Sequence, residues 1–189
     1  AFSHRLESLF SRYRPEVVRA QMNLLTSHDT PRLLSLLKGS VERARLALAL
    51  LFLLPGNPTV YYGEEVGMEG GHDPENRGGM LWETGRWKEE IRQTVRRLAR
   101  LRQEHPELRN APYGRVYAVD GHLAFTRGPY LVVVNATPEP FRQDFPLHGA
   151  LPRGAQAVDL LSGQICTPMG GRLCGPELPP FSLAVWVEV

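Results

Sequence analysis

The stretch NLLTSHDTPR, Asn23 to Arg32, decides how this chain folds. Leu24 and Leu25 read as the end of a buried strand. Thr26, Ser27, His28 and Asp29 form a polar tip, and Pro31 suits the first turn of a following helix. In a parallel α/β barrel the loops after the strands build the active-site face, so polar residues at such a tip lean towards function. The same residues also fit a plain structural role. Asp29 or Thr30 could cap the helix, leaving His28 as a satisfied surface residue.

A second segment, LLFLLPGNPTVYYGEEVGMEGGHDPENRGGMLWE, runs from Leu51 to Glu83. It reads as a helix end (Leu51 to Leu54), a Pro-Gly-Asn-Pro break and a short strand from Thr59 to Tyr62. A long glycine-rich loop with Asp73 and Arg77 follows. Together the two segments resemble the last two strand-helix units of the alpha-amylase family of glycoside hydrolases. The likeness is greatest to its neopullulanase, cyclomaltodextrinase and maltogenic amylase branch. The His-Asp pair, the PGNPTVYYGEE stretch and the GGHDPENR loop stand in that family's order and spacing. The resemblance implies the C-terminal part of a (β/α)8 TIM barrel followed by an antiparallel β-sandwich.

Length agrees with a partial barrel. A whole (β/α)8 barrel takes roughly 250 residues, and this chain has 189 and opens at Ala1 rather than Met. The expectation is therefore a carboxy-terminal piece of a larger enzyme, with barrel residues at 1–108 and the sandwich at 109–189. A formal net charge of +2 gives no reason to invoke nucleic acid or a membrane as partner. The longest apolar run, Leu46 to Leu54, falls well short of the roughly 20 residues that span a bilayer. A cytoplasmic location is expected from the family branch alone.

Two cysteines occur, Cys166 and Cys174, either side of Met169-Gly170-Gly171. A hairpin turning on the glycines would set them opposite each other, where a disulfide is geometrically conceivable; two reduced thiols in a sheet is the plainer expectation. No metal site is expected, since the cysteine spacing is wrong for zinc and no histidine lies nearby, and no cofactor is expected in a sequence without a phosphate-cradling glycine loop.

Phe2 to Arg14 reads as helical or irregular, and Leu33 to Leu54 as helical in two parts broken at Gly39-Ser40, with Ser40 able to cap the second. Trp87 to His105 is an amphipathic helix whose arginines lie over an apolar stripe. After Pro106 to Pro112 the period switches to two. Strands are expected at Arg115–Val119, His122–Thr126, Tyr130–Asn135, Phe141–Phe145, Gln156–Leu160 and Ser182–Val189, with an Asp120-Gly121 hairpin turn. Short strands at this spacing suggest a sandwich.

Retaining glycosidases use two carboxyl groups roughly 5 Å apart, and the alpha-amylase family adds a third that steadies the cationic transition state. By resemblance, Asp29 is that third carboxylate. His28 binds sugar hydroxyls at the cleavage subsite, and Asp73 and Arg77 contact glucose units on the non-reducing side. A local ion pair that stiffens the loop explains Asp73 and Arg77 equally well. Tyr61, Tyr62, Gly63 and Glu64 read mainly as packing and loop anchoring, and Arg32 as the partner of a buried carboxylate. Nucleophile and general acid belong upstream of the His-Asp pair, where only Glu7 and Glu16 stand, neither in a matching context. An isolated chain of this kind is expected to be inactive, and its uncovered strand edge and helix faces lead to an expectation of self-association. Two other readings remain: a non-catalytic glucan-binding or structural module, and part of an α-glucan transglycosylase.

Overall fold

The computed structural model describes residues 2–146, 156–169, 172–175 and 177–189. Its backbone contacts divide into two units, one of residues 20–104 and one of residues 1–19 with 105–189. Helices α1 (Phe2–Arg12) and α2 (Pro15–Ala20) open the chain.

In the 20–104 unit, β1 (Met22–Leu24) and β2 (Asn57–Thr59) pair in parallel, with Met22 opposite Asn57 and Leu24 opposite Thr59. The crossover between them holds α3 (Leu33–Leu36) and α4 (Val41–Leu53). Lys38 and Gly39, at φ 53° and 78°, break the helical run. Ser40 then restarts it by accepting the Arg43 N–H on its hydroxyl at 3.3 Å. Helix α5 (Glu89–Glu104) returns across α4. Leu33, Leu34, Ala44, Leu48, Leu51 and Ile91 form the shared apolar core, and Arg102 donates to the carbonyls of Phe52 and Gly56.

Two expectations shift here. The second strand ends at Thr59 instead of spanning Thr59 to Tyr62, because the three-residue β1 offers it partners only as far as Leu24. Leu24 and Leu25, which read as buried, stand exposed. Among the described residues β1 pairs with β2 alone, so no further layer covers that face.

The other unit is an antiparallel sandwich entered through the short helix α6 (Glu107–Asn110). One sheet has six strands in the order β3-β4-β5-β10-β7-β8, namely Tyr113–Val119, His122–Arg127, Tyr130–Asn135, Ser182–Glu188, Ala157–Asp159 and Ile165–Cys166. The second pairs β6 (Asp144–Pro146) with β9 (Arg172–Cys174). Between them Leu131, Val133, Trp186, Phe145 and Leu173 interdigitate as the core. The β3–β4 hairpin turns at Asp120 and Gly121, both at positive φ (43° and 83°), as a type I′ turn requires. Sequence periodicity missed β8 and β9, which are two and three residues long. In the strand ladders Cys166 lies opposite Ala157 and Cys174 opposite Asp144, on different sheets, where a hairpin turning on the glycines would have set the two opposite each other. Gly170 and Gly171, on which that hairpin was to turn, lie outside the described residues.

Candidate active site

Both loops of interest follow a strand of the parallel pair, the position from which barrels and open α/β sheets present ligands. The first loop, Leu25 to Arg32, is held at its base from the other segment. Glu64, 4% exposed in a short 3-10 turn, accepts the Thr26 hydroxyl at 2.7 Å. Its carboxylate also accepts the backbone N–H of Leu33 at 3.0 and 3.2 Å. The start of α3 is therefore capped by a carboxylate distant in sequence, and neither Asp29 nor Thr30 serves as the cap. Burial pushes the Glu64 carboxyl above the ordinary glutamate range, against the opposing pull of Leu33 N–H, Thr26 O–H and the Arg32 charge.

Arg32 is wholly buried, but it does not take the expected carboxylate. Its Nη1 donates to the Tyr62 carbonyl at 2.7 Å, and its guanidinium lies over the rings of Tyr61 and Tyr62 at 5.0 and 4.7 Å. The Tyr61-Tyr62 pair gives the cation two electron-rich faces, while the Glu64 carboxyl feels its charge without forming an ion pair with it. The anchoring role read for Tyr61, Tyr62 and Glu64 thus has concrete partners.

The second loop closes onto the first. Gly70 donates its N–H to Ser35 Oγ at 2.9 Å and accepts the Arg32 N–H at 3.0 Å. A Cβ at Gly70 would come within 2.5 Å of the Glu75 carbonyl oxygen, so the chain can double back there only on a glycine. Asn76, 1% exposed, donates through Nδ2 to the carbonyls of His28 at 2.7 Å and Thr30 at 3.0 Å. Arg77 Nε donates to the same His28 carbonyl at 3.0 Å.

These contacts bring the four sequence-predicted site residues together. Asp29 Oδ1 stands 3.5 Å from Arg77 Nη2, and Asp29 Oδ2 stands 3.2 Å from His28 Nε2. Arg77 Nε is also 3.6 Å from Asp73 Oδ1. The Asp29 side chain is 68% exposed, and ion pairs open to water are worth at most about 1 kcal/mol. Fold stability therefore does not account for the cluster. Chemically, it presents a carboxylate, an imidazole and a guanidinium to solvent from two fixed loops, a set suited to polyhydroxylated ligands. Sequence reasoning did not find Asn76, whose only signal was its place between Asp73 and Arg77. Among the described residues, no group of three or more His, Cys, Asp or Glu side chains is arranged to hold a metal ion.

The fold and loop site define the closing part of a (β/α)8 barrel followed by an antiparallel β-sandwich. The alpha amylase catalytic-domain profile matches residues 2–113, more than half of the chain, and the neopullulanase-like C-terminal domain profile matches residues 113–187. The chain belongs to the alpha-amylase family. It is 32% identical over 191 residues to a cyclomaltodextrinase of Geobacillus thermopakistaniensis, covering 98% of this chain and 32% of that protein. To a Bacillus subtilis protein named intracellular maltogenic amylase it is 35% identical over 106 residues, 56% of this chain and 18% of the relative. A crystal structure of a Thermus thermophilus protein superposes on it with a TM-score of 0.96 at 81% identity, covering 100% of this chain and 40% of that one. The chain thus spans about a third or less of the curated relatives' length.

Proposed function

We propose that this chain is the carboxy-terminal portion of a retaining glycoside hydrolase that cleaves α-1,4 glucosidic bonds in maltodextrins, cyclodextrins or pullulan. Barrel residues occupy 1–108 and the sandwich 109–189. The observation that carries the reading is the exposed Asp29 carboxylate, set beside Arg77, His28 and Asp73 on loops that follow two parallel strands. In this reading Asp29 stabilises the oxocarbenium-like transition state and orients the sugar beneath it. His28 hydrogen-bonds hydroxyls at the cleavage subsite, and Asp73 and Arg77 bind glucose units on the non-reducing side. The nucleophile and general acid come from barrel segments that precede these residues in such enzymes, so the isolated chain is inactive.

Asp29→Asn in the complete polypeptide tests the assignment. It should lower turnover of maltotriose or cyclodextrin by about 10²- to 10³-fold or more, with folding stability little changed. Near-normal turnover removes Asp29 from the mechanism. Glucose release by the isolated 189-residue chain would contradict its proposed inactivity, and micromolar binding of maltoheptaose by that chain would favour a binding module instead.

A cytoplasmic location fits the name of the Bacillus subtilis relative. No helix among the described residues is long and apolar enough to cross a membrane. The isolated chain should also self-associate. Met22, Leu24, Leu25 and Leu36 are exposed on the 20–104 unit, around a sheet of two strands only. A sedimentation profile of a compact monomer at micromolar concentration would refute this.

A further inference from the structure

Resting on the proposed role of Asp29, we infer that Asn76 is a positioning residue, which sets where the Asp29 carboxylate stands by holding the carbonyl groups of the residues on both sides of it. One side-chain nitrogen of Asn76 donates to the carbonyls of His28 and Thr30, the immediate neighbours of Asp29, at 2.7 and 3.0 Å. The Asn76 donor is buried, at only 1% exposed, and the bonds themselves are half-buried. Bonds partly shielded from water compete less with solvent, so they constrain the backbone more firmly than exposed ones.

The loop's own bonds are local, spanning two or three residues. The Asp29 N–H reaches Ser27 Oγ at 3.2 Å in an exposed setting, and the Ser27 N–H reaches Thr30 Oγ1 at 3.0 Å in a half-buried one. They shape the turn but do not tie it to anything outside itself. Thr26 and Arg32 tie the ends of the loop to the second segment, Asn76 ties its middle, and Arg77 adds to that by donating to the same His28 carbonyl. The segment that carries Asp73 and Arg77 therefore also fixes the approach of Asp29. The two loops act as one unit, and geometry imposed on the second is transmitted to the carboxylate of the first. A displacement of about 1 Å at such a group is enough to cost 10²-fold in rate.

The test uses the complete polypeptide and a double-mutant cycle. Asn76→Asp keeps the side chain's size but turns carboxylate oxygens towards two carbonyl oxygens. Turnover of maltotriose should fall about 10- to 100-fold in the parent background. In the Asp29→Asn background, the same change should cost less than about threefold, because its effect runs through a carboxylate already removed. Thermal midpoints report folding throughout. If Asn76→Asp does not fold, Asn76→Ser, smaller and uncharged, is read by the same two comparisons. Turnover within threefold of the parent, or an equal loss in both backgrounds, would overturn the inference and leave the Asp29 assignment standing. Near-normal turnover of Asp29→Asn alone would instead bring down that assignment and this inference together.

Discussion

Removing the Glu64 side chain should cost more than any exposed charge of the site, and the structure sets the size of the loss. Its carboxylate accepts the Thr26 hydroxyl at 2.7 Å and the Leu33 N–H at 3.0 Å, in a place 4% exposed to solvent. Glu64→Ala strands both donors. Each buried donor left without a partner costs about 1–3 kcal/mol, so the variant should lose about 2–6 kcal/mol of stability. Glu64→Gln keeps an acceptor oxygen of the same reach and sheds the buried charge, and should stay within about 1 kcal/mol of the parent.

The two variants also part company with pH. Burial raises the Glu64 carboxyl above the ordinary value of about 4.3. Between that value and the raised one, the folded chain holds a proton that the unfolded chain has released. The favourable contribution is therefore complete below the ordinary value, and it is lost as pH climbs through the raised one. Glu64→Gln lacks this slope, so its stability relative to the parent should improve as pH rises across the window. Urea unfolding followed by circular dichroism from about pH 4 to 8 would measure all three proteins. Equal losses for the Ala and Gln variants, or a Gln variant that weakens relative to the parent as pH rises, would refute the argument.

Tyr113→Phe should be neutral or stabilising by about 1 kcal/mol in the same assay. The Tyr113 hydroxyl is buried with no hydrogen-bond partner among the described residues, and burial raises its ionisation to about 12. Gly70→Ala should destabilise by about 1–3 kcal/mol, because its Cβ would press within 2.5 Å of the Glu75 carbonyl oxygen and 3.1 Å of the Asn76 Cα. In the complete polypeptide it should also lower turnover; unchanged stability and turnover would show that the loop has room to yield.

The order of elements was legible wherever local chemistry determined it. The Ser40 cap, the break at Gly39 and the Asp120-Gly121 turn are each specified by residues next to one another, and the structure carries them as read. Legibility failed where a partner set the outcome. How far β2 runs depends on the length of β1, and β8 and β9 are too short to show a period of two. The placement of Cys166 and Cys174 followed from strand pairing, which the two glycines between them could not announce.

The site divides along the same line. His28, Asp29, Asp73 and Arg77 could be picked out because their residue types stand in a motif, whereas the residues that place them carry no such mark. Arg32 shows why. Its buried guanidinium makes no ion pair among the described residues; it has two tyrosine faces and one carbonyl, with Nε and Nη2 left without a hydrogen-bond partner. Glu64 likewise caps a helix 31 positions earlier in the chain, and Asn76 bonds carbonyls 46 and 48 positions away. Donors and acceptors meet at such separations only after the two strands have paired and turned their loops to one side. The groups that face solvent are thus readable from the one-dimensional order, and those that aim them are readable only from the fold.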